Sequence, residues 1–186
     1  MSIRTVVMSV VALMVLVLQG CTAMPDDRVI QDAIVANEVE QDNRFYMNTK
    51  VGQADGFEGT SMLFNASPDM NNRTALENLK EALRKNSLYN ENGEYTVDII
   101  VRDNGACDKG LSLTVQCEGG GYTYIKKDVD VDYIVKKGNE VVAEFNVVTS
   151  GRGETGFLVY WKEKKATEQA YARNLNDFIE RLTELD

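Results

Sequence analysis

The chain has 186 residues, 44% of them hydrophobic and 26% charged, with 14 glycines, two prolines and three cysteines. That is enough for one globular domain with a buried core, and it excludes a disordered, collagenous or disulfide-dense chain. Twenty Lys and Arg stand against 29 Asp and Glu, a net charge of -9, and there is no histidine. An acidic chain gains no counterion release from phosphates, so nucleic acid is not an expected partner. Without imidazole, Ser-His-Asp and Cys-His catalysis and His-ligated metal sites are excluded.

Residues 1–20 read as an export signal rather than as part of the fold. Arg4 is the only charge before an apolar run, 6–18, that is broken only by Ser9. A bilayer-spanning helix needs about 20 apolar residues; this run has the length of a signal-peptide apolar region. It ends in Leu18-Gln19-Gly20-Cys21. That motif resembles the lipobox of bacterial lipoprotein precursors. The resemblance implies a diacylglyceryl group on the Cys21 thiol, cleavage after Gly20, and a new amine on Cys21 open to acylation. It makes the membrane a partner through the lipid, because two or three acyl chains hold a domain on a bilayer. Thr22 stands where lipoproteins retained in the inner membrane of Gram-negative bacteria often carry Asp. Its presence implies the outer membrane, with the domain facing the periplasm.

If Cys21 carries lipid, Cys107 and Cys117 remain. An even pair in an oxidising periplasm reads as a disulfide, stabilising by roughly 2.5–3 kcal/mol in the chain-entropy model. Nine residues separate the two, which does not fit a C-x-x-C redox motif, and no histidine is present to complete a zinc site.

Residues 21–44 are polar and read as a lipidated tether for a single domain spanning 45–186. Pro25 followed by Asp26 and Asp27 starts a short, loosely packed helix through Val29, Ile30, Ala33 and Ile34. Fully extended, a tether of this length reaches roughly 75 Å. A first strand is expected near 45–51 and a loop over 58–72. Thr74-Ala75-Leu76-Glu77 fits a capping box, and Leu76, Leu79, Ala82 and Leu83 repeat at helical spacing. Leu88 and Tyr89 close that face, with Asn90 and Gly93 as the stop. Residues 95–101 alternate as a strand. A long excursion over 103–121 holds the cysteine pair. Over 122–135, Val129, Val131, Tyr133 and Val135 take one strand face and Asp128, Asp130 and Asp132 the other. A turn at 136–139 leads to a partner strand through Val141, Ala143, Phe145 and Val147. A last helix over 164–185 carries Tyr171, Leu175, Phe178, Leu182 and Leu185 along one stripe.

This order predicts an α+β two-layer sandwich: an antiparallel sheet of about four strands with two helices on one face. The layout is similar to small periplasmic lipoproteins, including uncharacterised families near the lipopolysaccharide-assembly lipoprotein. The 76–88 helix leading into the 95–101 strand, and the 129–145 hairpin leading into the last helix, carry that resemblance. It assigns no catalytic or binding residue.

Three patterns are candidates for chemistry. Gly151-Arg152-Gly153-Glu154-Thr155-Gly156 spells G-x-G-x-x-G, but no helix opens on it within a βαβ unit, so a flexible loop is expected and no nucleotide. Asp128, Asp130 and Asp132 start like an EF-hand loop, but Tyr133 and Asn139 stand where Gly and Glu belong. A solvated strand face is the expectation, with weak surface cation binding as the alternative. Phe157, Tyr160 and Trp161 form either a docking patch or, more in keeping with their density, a buried strand or core plug. No metal or other cofactor is implied. The functional expectation is a non-enzymatic envelope lipoprotein that binds or scaffolds other envelope proteins. The alternatives are a small hydrolase using carboxylates and a lipid- or glycan-binding carrier.

Overall fold

The computed structural model describes residues 25–56, 71–103, 124–154 and 159–185. They form seven elements: α1 (Asp27–Asp32), β1 (Thr49–Asp55), α2 (Asn72–Lys85), β2 (Tyr95–Asp103), β3 (Ile125–Lys137), β4 (Glu140–Gly153) and α3 (Val159–Thr183). The four strands make one sheet in the order β1-β2-β3-β4. The helices pack on one side of it, α2 over β1 and α3 over β3 and β4. The α+β two-layer reading and the strand-helix-strand-strand-strand-helix order hold, and the short helix α1 precedes them.

The sheet is mixed rather than antiparallel. β1 and β2 run parallel, while β2–β3 and β3–β4 are antiparallel. The reason lies in α2: a helix between two strands carries the chain back to the end where it started, so the strands align in one direction. β1 also begins later than expected, at Thr49. Phe45 instead lies in a turn, fully buried and edge-on to Tyr95 with ring centroids 4.8 Å apart.

Asn71, not Thr74, caps α2; its side chain accepts the Thr74 N–H at 2.9 Å. The helix stops at Lys85, because Asn86 caps it and Ser87 takes a left-handed φ of 55°. Leu88 is buried beyond the helix rather than on it. On β3 the expected alternation holds. Val129, Val131, Tyr133 and Val135 are buried beneath the helices, and Tyr133 stacks on Phe178 of α3 at 4.0 Å. The hairpin turns at Gly138, whose φ of 62° suits glycine. A bulge then shifts the register, so that Lys136 pairs with Val141 and Val135 with Ala143. This turns Val141 out to solvent, 52% exposed, whereas Val147 further along is buried as expected.

The G-x-G-x-x-G segment is not a loop over its first half. β4 continues through Gly153. A Cβ on Gly151 would overlap the carbonyl oxygen of Ala166, and one on Gly153 that of Lys162. Both glycines let α3 lie directly against the strand, a packing role.

Candidate functional site

The helix-free face of the sheet holds the predicted aspartates. Side chains alternate across a strand, so Asp128, Asp130 and Asp132 share that face while their odd-numbered neighbours enter the core. The row does not stand unopposed. Arg102 on β2 donates through Nε to Asp132 Oδ2. Asn146 on β4 bridges two of the aspartates, its Nδ2 lying 2.6 Å from Asp130 Oδ1 and 2.9 Å from Asp132 Oδ1. The Ser150 hydroxyl donates to Asp128 Oδ1, and Lys126 reaches its Oδ2 at 3.1 Å. The Ser150 hydroxyl, with Lys126 assisting, holds the Asp128 carboxyl below its usual range against the opposing cost of burial. The Asp132 pairing in turn raises Arg102 above the usual guanidinium value.

These donors do the work that a cation would otherwise do for adjacent carboxylates. Among the described residues no group of three or more His, Cys, Asp or Glu converges into a metal-ligating cluster. The face is a network of cross-strand hydrogen bonds and ion pairs, bordered by the exposed apolar residues Ile100 and Val148. Asp98 extends it toward β1. Its carboxylate lies over Gly52, accepts the Gln53 N–H at 2.8 Å and pairs with Lys136 at 2.6 Å. The sequence gives no hint of that role, because it depends on a bulge in β1 opposite Asp98.

The remaining predicted residues are not gathered here. Cys21, Cys107, Cys117 and Phe157 lie outside the described residues. Tyr160 and Trp161 stand in the first turn of α3 rather than in a strand, since that helix begins five residues before the expected start. Among the described residues, no helix is long and apolar enough to cross a membrane.

The feature least expected from sequence is the N-terminal segment, 25–44. Its polarity reads as tether, yet from Pro25 onward it lies on the domain. Ile30 and Ile34 are buried in the common core. The Asp26 N–H donates to Glu168 Oε1 of α3 at 2.8 Å. Side-chain amides fasten the rest. Asn78 accepts from Gln31 and donates to Asp27. Asn86 accepts the Asn37 N–H and donates to the carbonyls of Val35 and Ala82. Asn176 accepts the Val35 N–H and donates to Ala33 O, and Asn43 reaches Thr183 O at 3.0 Å. A buried amide with all its bonds made ties two backbones together without a charge. Glu168 is the exception in charge: burial pushes its carboxyl above the usual range, while the Asp26 N–H and Lys164 pull it back.

A second buried polar set joins the layers. Tyr133 Oη donates to Asn174 Oδ1 at 2.7 Å, and Asn174 Nδ2 donates to Val147 O at 2.8 Å. Nearby, Lys127 and Glu163 pair at 3.3 Å with both side chains buried.

No protein-family model matches the chain, and no curated protein matches it. Among solved structures, it is similar to a candidate lipoprotein from Caulobacter crescentus CB15, at 14% identity and a TM-score of 0.50, over 76% of this chain and 91% of that one. It also aligns with a Xanthomonas campestris protein of family DUF330, at 10% identity and a TM-score of 0.46, over 71% of this chain and 78% of that one. At such identity the first likeness is one of fold.

Proposed function

We propose that this chain is the precursor of a lipoprotein of the bacterial cell envelope, lipidated at Cys21 and moored to the outer membrane with its domain in the periplasm. The domain's work is binding or scaffolding of other envelope proteins, without catalysis. The observation that carries the reading is Leu18-Gln19-Gly20-Cys21 at the end of an apolar run of signal-peptide length. The shared fold with the candidate lipoprotein of Caulobacter crescentus agrees with it. Mooring acts by concentration: a domain confined to a membrane plane meets partners in that plane far more often than one free in solution.

Growth of expressing cells with a clickable fatty-acid analogue tests the anchor. The wild type is expected to take up label and fractionate with outer membranes. Cys21→Ala is expected to lose the label. An unlabelled wild type, or label kept in Cys21→Ala, rejects the reading. Crosslinking in intact cells tests the scaffold: a reproducible protein partner is the expected result.

A further inference from the structure

Two stretches far apart in the sequence, 45–49 and 84–90, lie side by side where α2 ends and β1 begins. The Met47 N–H donates to Ser87 O at 2.8 Å, and Met47 O accepts from Asn90 Nδ2 at 2.8 Å. The Asn48 and Thr49 N–H groups both reach Leu88 O, and Thr49 bridges to Tyr89. These bonds bring Met47 beside Tyr89, and Tyr89 in turn meets Lys80 and Arg84 of α2.

Met47 is the second central residue of a turn closed by the Asn48 N–H on Phe45 O at 3.1 Å, and its φ is 47°. A turn position with positive φ favours Gly or Asn, because a Cβ crowds the backbone there. Ser87, at φ 55°, has the ordinary reason of a left-handed residue just past a helix end. Met47 ends no helix. Nor does its side chain join the hydrophobic core; it is 49% exposed. A large apolar side chain held in a strained conformation, with half its surface in water, contributes little to the fold, so its use lies outside the domain.

The half-buried Tyr89 ring is flanked by two cations. Lys80 Nζ lies 5.2 Å and the Arg84 guanidinium carbon 5.1 Å from its centroid. Positions 80 and 84 are neighbours on the helix surface, and the ring holds their like charges together. Among the described residues neither makes an ion pair, although Glu77 and Glu81 stand on the same helix. In the sheet, by contrast, Arg102, Lys126, Lys136 and Lys137 each pair with an acid. In a chain of net charge -9 the pair is a local excess of positive charge. Salt screens exposed charges beyond about 8 Å, so these cations rather than the net charge select what binds beside them.

We propose that Met47, Tyr89, Lys80 and Arg84 form a docking surface for a segment of a protein partner that carries Asp or Glu beside an apolar side chain. This rests on the protein-binding reading above and is independent of the lipid anchor. The Arg84 fork takes the carboxylate, with Lys80 adding charge, and the apolar side chain packs on Met47 and the exposed part of the Tyr89 ring. Tyr, Arg and Met are residue types that protein interfaces enrich. An anionic lipid surface fits less well, since a plane of phosphates also meets the exposed Glu77 and Glu91.

Photocrosslinking of the full-length protein in intact cells provides the test, with p-benzoylphenylalanine at residue 77 or 91, both exposed and close in the chain to the surface, or at 148 on the open sheet face. Adducts from 77 and 91 are expected to identify one protein, the attached peptide carrying Asp or Glu beside an apolar residue. Their yield is expected to fall several-fold in Lys80→Gln/Arg84→Gln and in Met47→Gly. Purified Met47→Gly is expected to unfold at the same urea concentration as the wild type or a higher one, since glycine adopts the left-handed conformation without strain. A clearly lower midpoint assigns Met47 to the fold and overturns the proposal. Adducts that survive the substitutions, an attached peptide without an acid, or adducts with phospholipid overturn it as well. Protein adducts from 148 with none from 77 or 91 overturn the surface and leave the protein-binding reading standing. Absence of protein adducts from all three positions overturns both.

Discussion

The two faces of β3 carry polar groups in opposite circumstances. On the helix side, Lys127 pairs with Glu163 and Tyr133 hydrogen-bonds Asn174, all within the core. On the open side, Asp128, Asp130 and Asp132 meet Ser150, Asn146, Lys126 and Arg102 where water also reaches. Asp132 is intermediate: its side chain is only 4% exposed although it stands on the open face. The difference teaches where a polar residue determines the fold. A buried group that loses its partner keeps the whole desolvation penalty, whereas an exposed one exchanges the partner for water.

Removing the apolar centre of the helix side gives the largest effect. Phe178→Ala takes away the ring stacked on Tyr133 and is expected to destabilise by about 3–5 kcal/mol in urea unfolding. Asn174→Ala comes next. It leaves the Tyr133 hydroxyl without this acceptor and the Val147 carbonyl without this donor, and about 1–3 kcal/mol is expected to be lost. The open side is expected to respond less. Lys126→Ala, whose ion pair with Asp128 is 42% exposed on both sides, should lower the urea midpoint only slightly, and by less still at high salt. A loss as large as that of Asn174→Ala would erase the distinction between the faces.

The smallest effects are read best as signs against pH. Asp128 is held below its ordinary 3.8. Its contribution is present above that unfolded value and is lost as pH falls through the lower, folded one. Glu168 is held above its ordinary 4.5. Its contribution is complete below 4.5 and is lost as pH rises through the higher, folded value. Acidification from neutral pH should therefore improve the wild type relative to Glu168→Gln, which keeps an acceptor for the Asp26 N–H. Further acidification, below the unfolded value of Asp128, should weaken the wild type relative to Asp128→Asn. Unfolding midpoints of the three proteins across pH check both signs.

Much of the sheet was legible because β3 alternates so regularly: Val129, Val131, Tyr133 and Val135 inward, the aspartates outward. The stripe on α3 was legible for the same reason, Tyr171, Leu175, Phe178 and Leu182 all being buried. The satisfied aspartate face was half legible. Repulsion along the row demanded donors across it, but which residues supply them depends on strand neighbours that only pairing reveals. Val141 misled because a bulge breaks the alternation, and Gly151 and Gly153 misled because a motif of loop-forming residues serves equally to bring a helix against a strand.

Period and composition alone determined the helices, three of the strands and the apolar core, since burial of apolar faces follows directly from residue spacing. They also supplied the Gly20-Cys21 junction. Tertiary structure decided the parallel pairing of β1 with β2 and the fate of residues 25–44. A polar segment reads as solvated until the partners of its amides are known. Here Asn78, Asn86, Asn176 and Glu168, far away in the chain, hold it on the domain. Hydrogen bonds between distant residues leave no periodic trace in a sequence, and that is why the docked segment had the appearance of a tether.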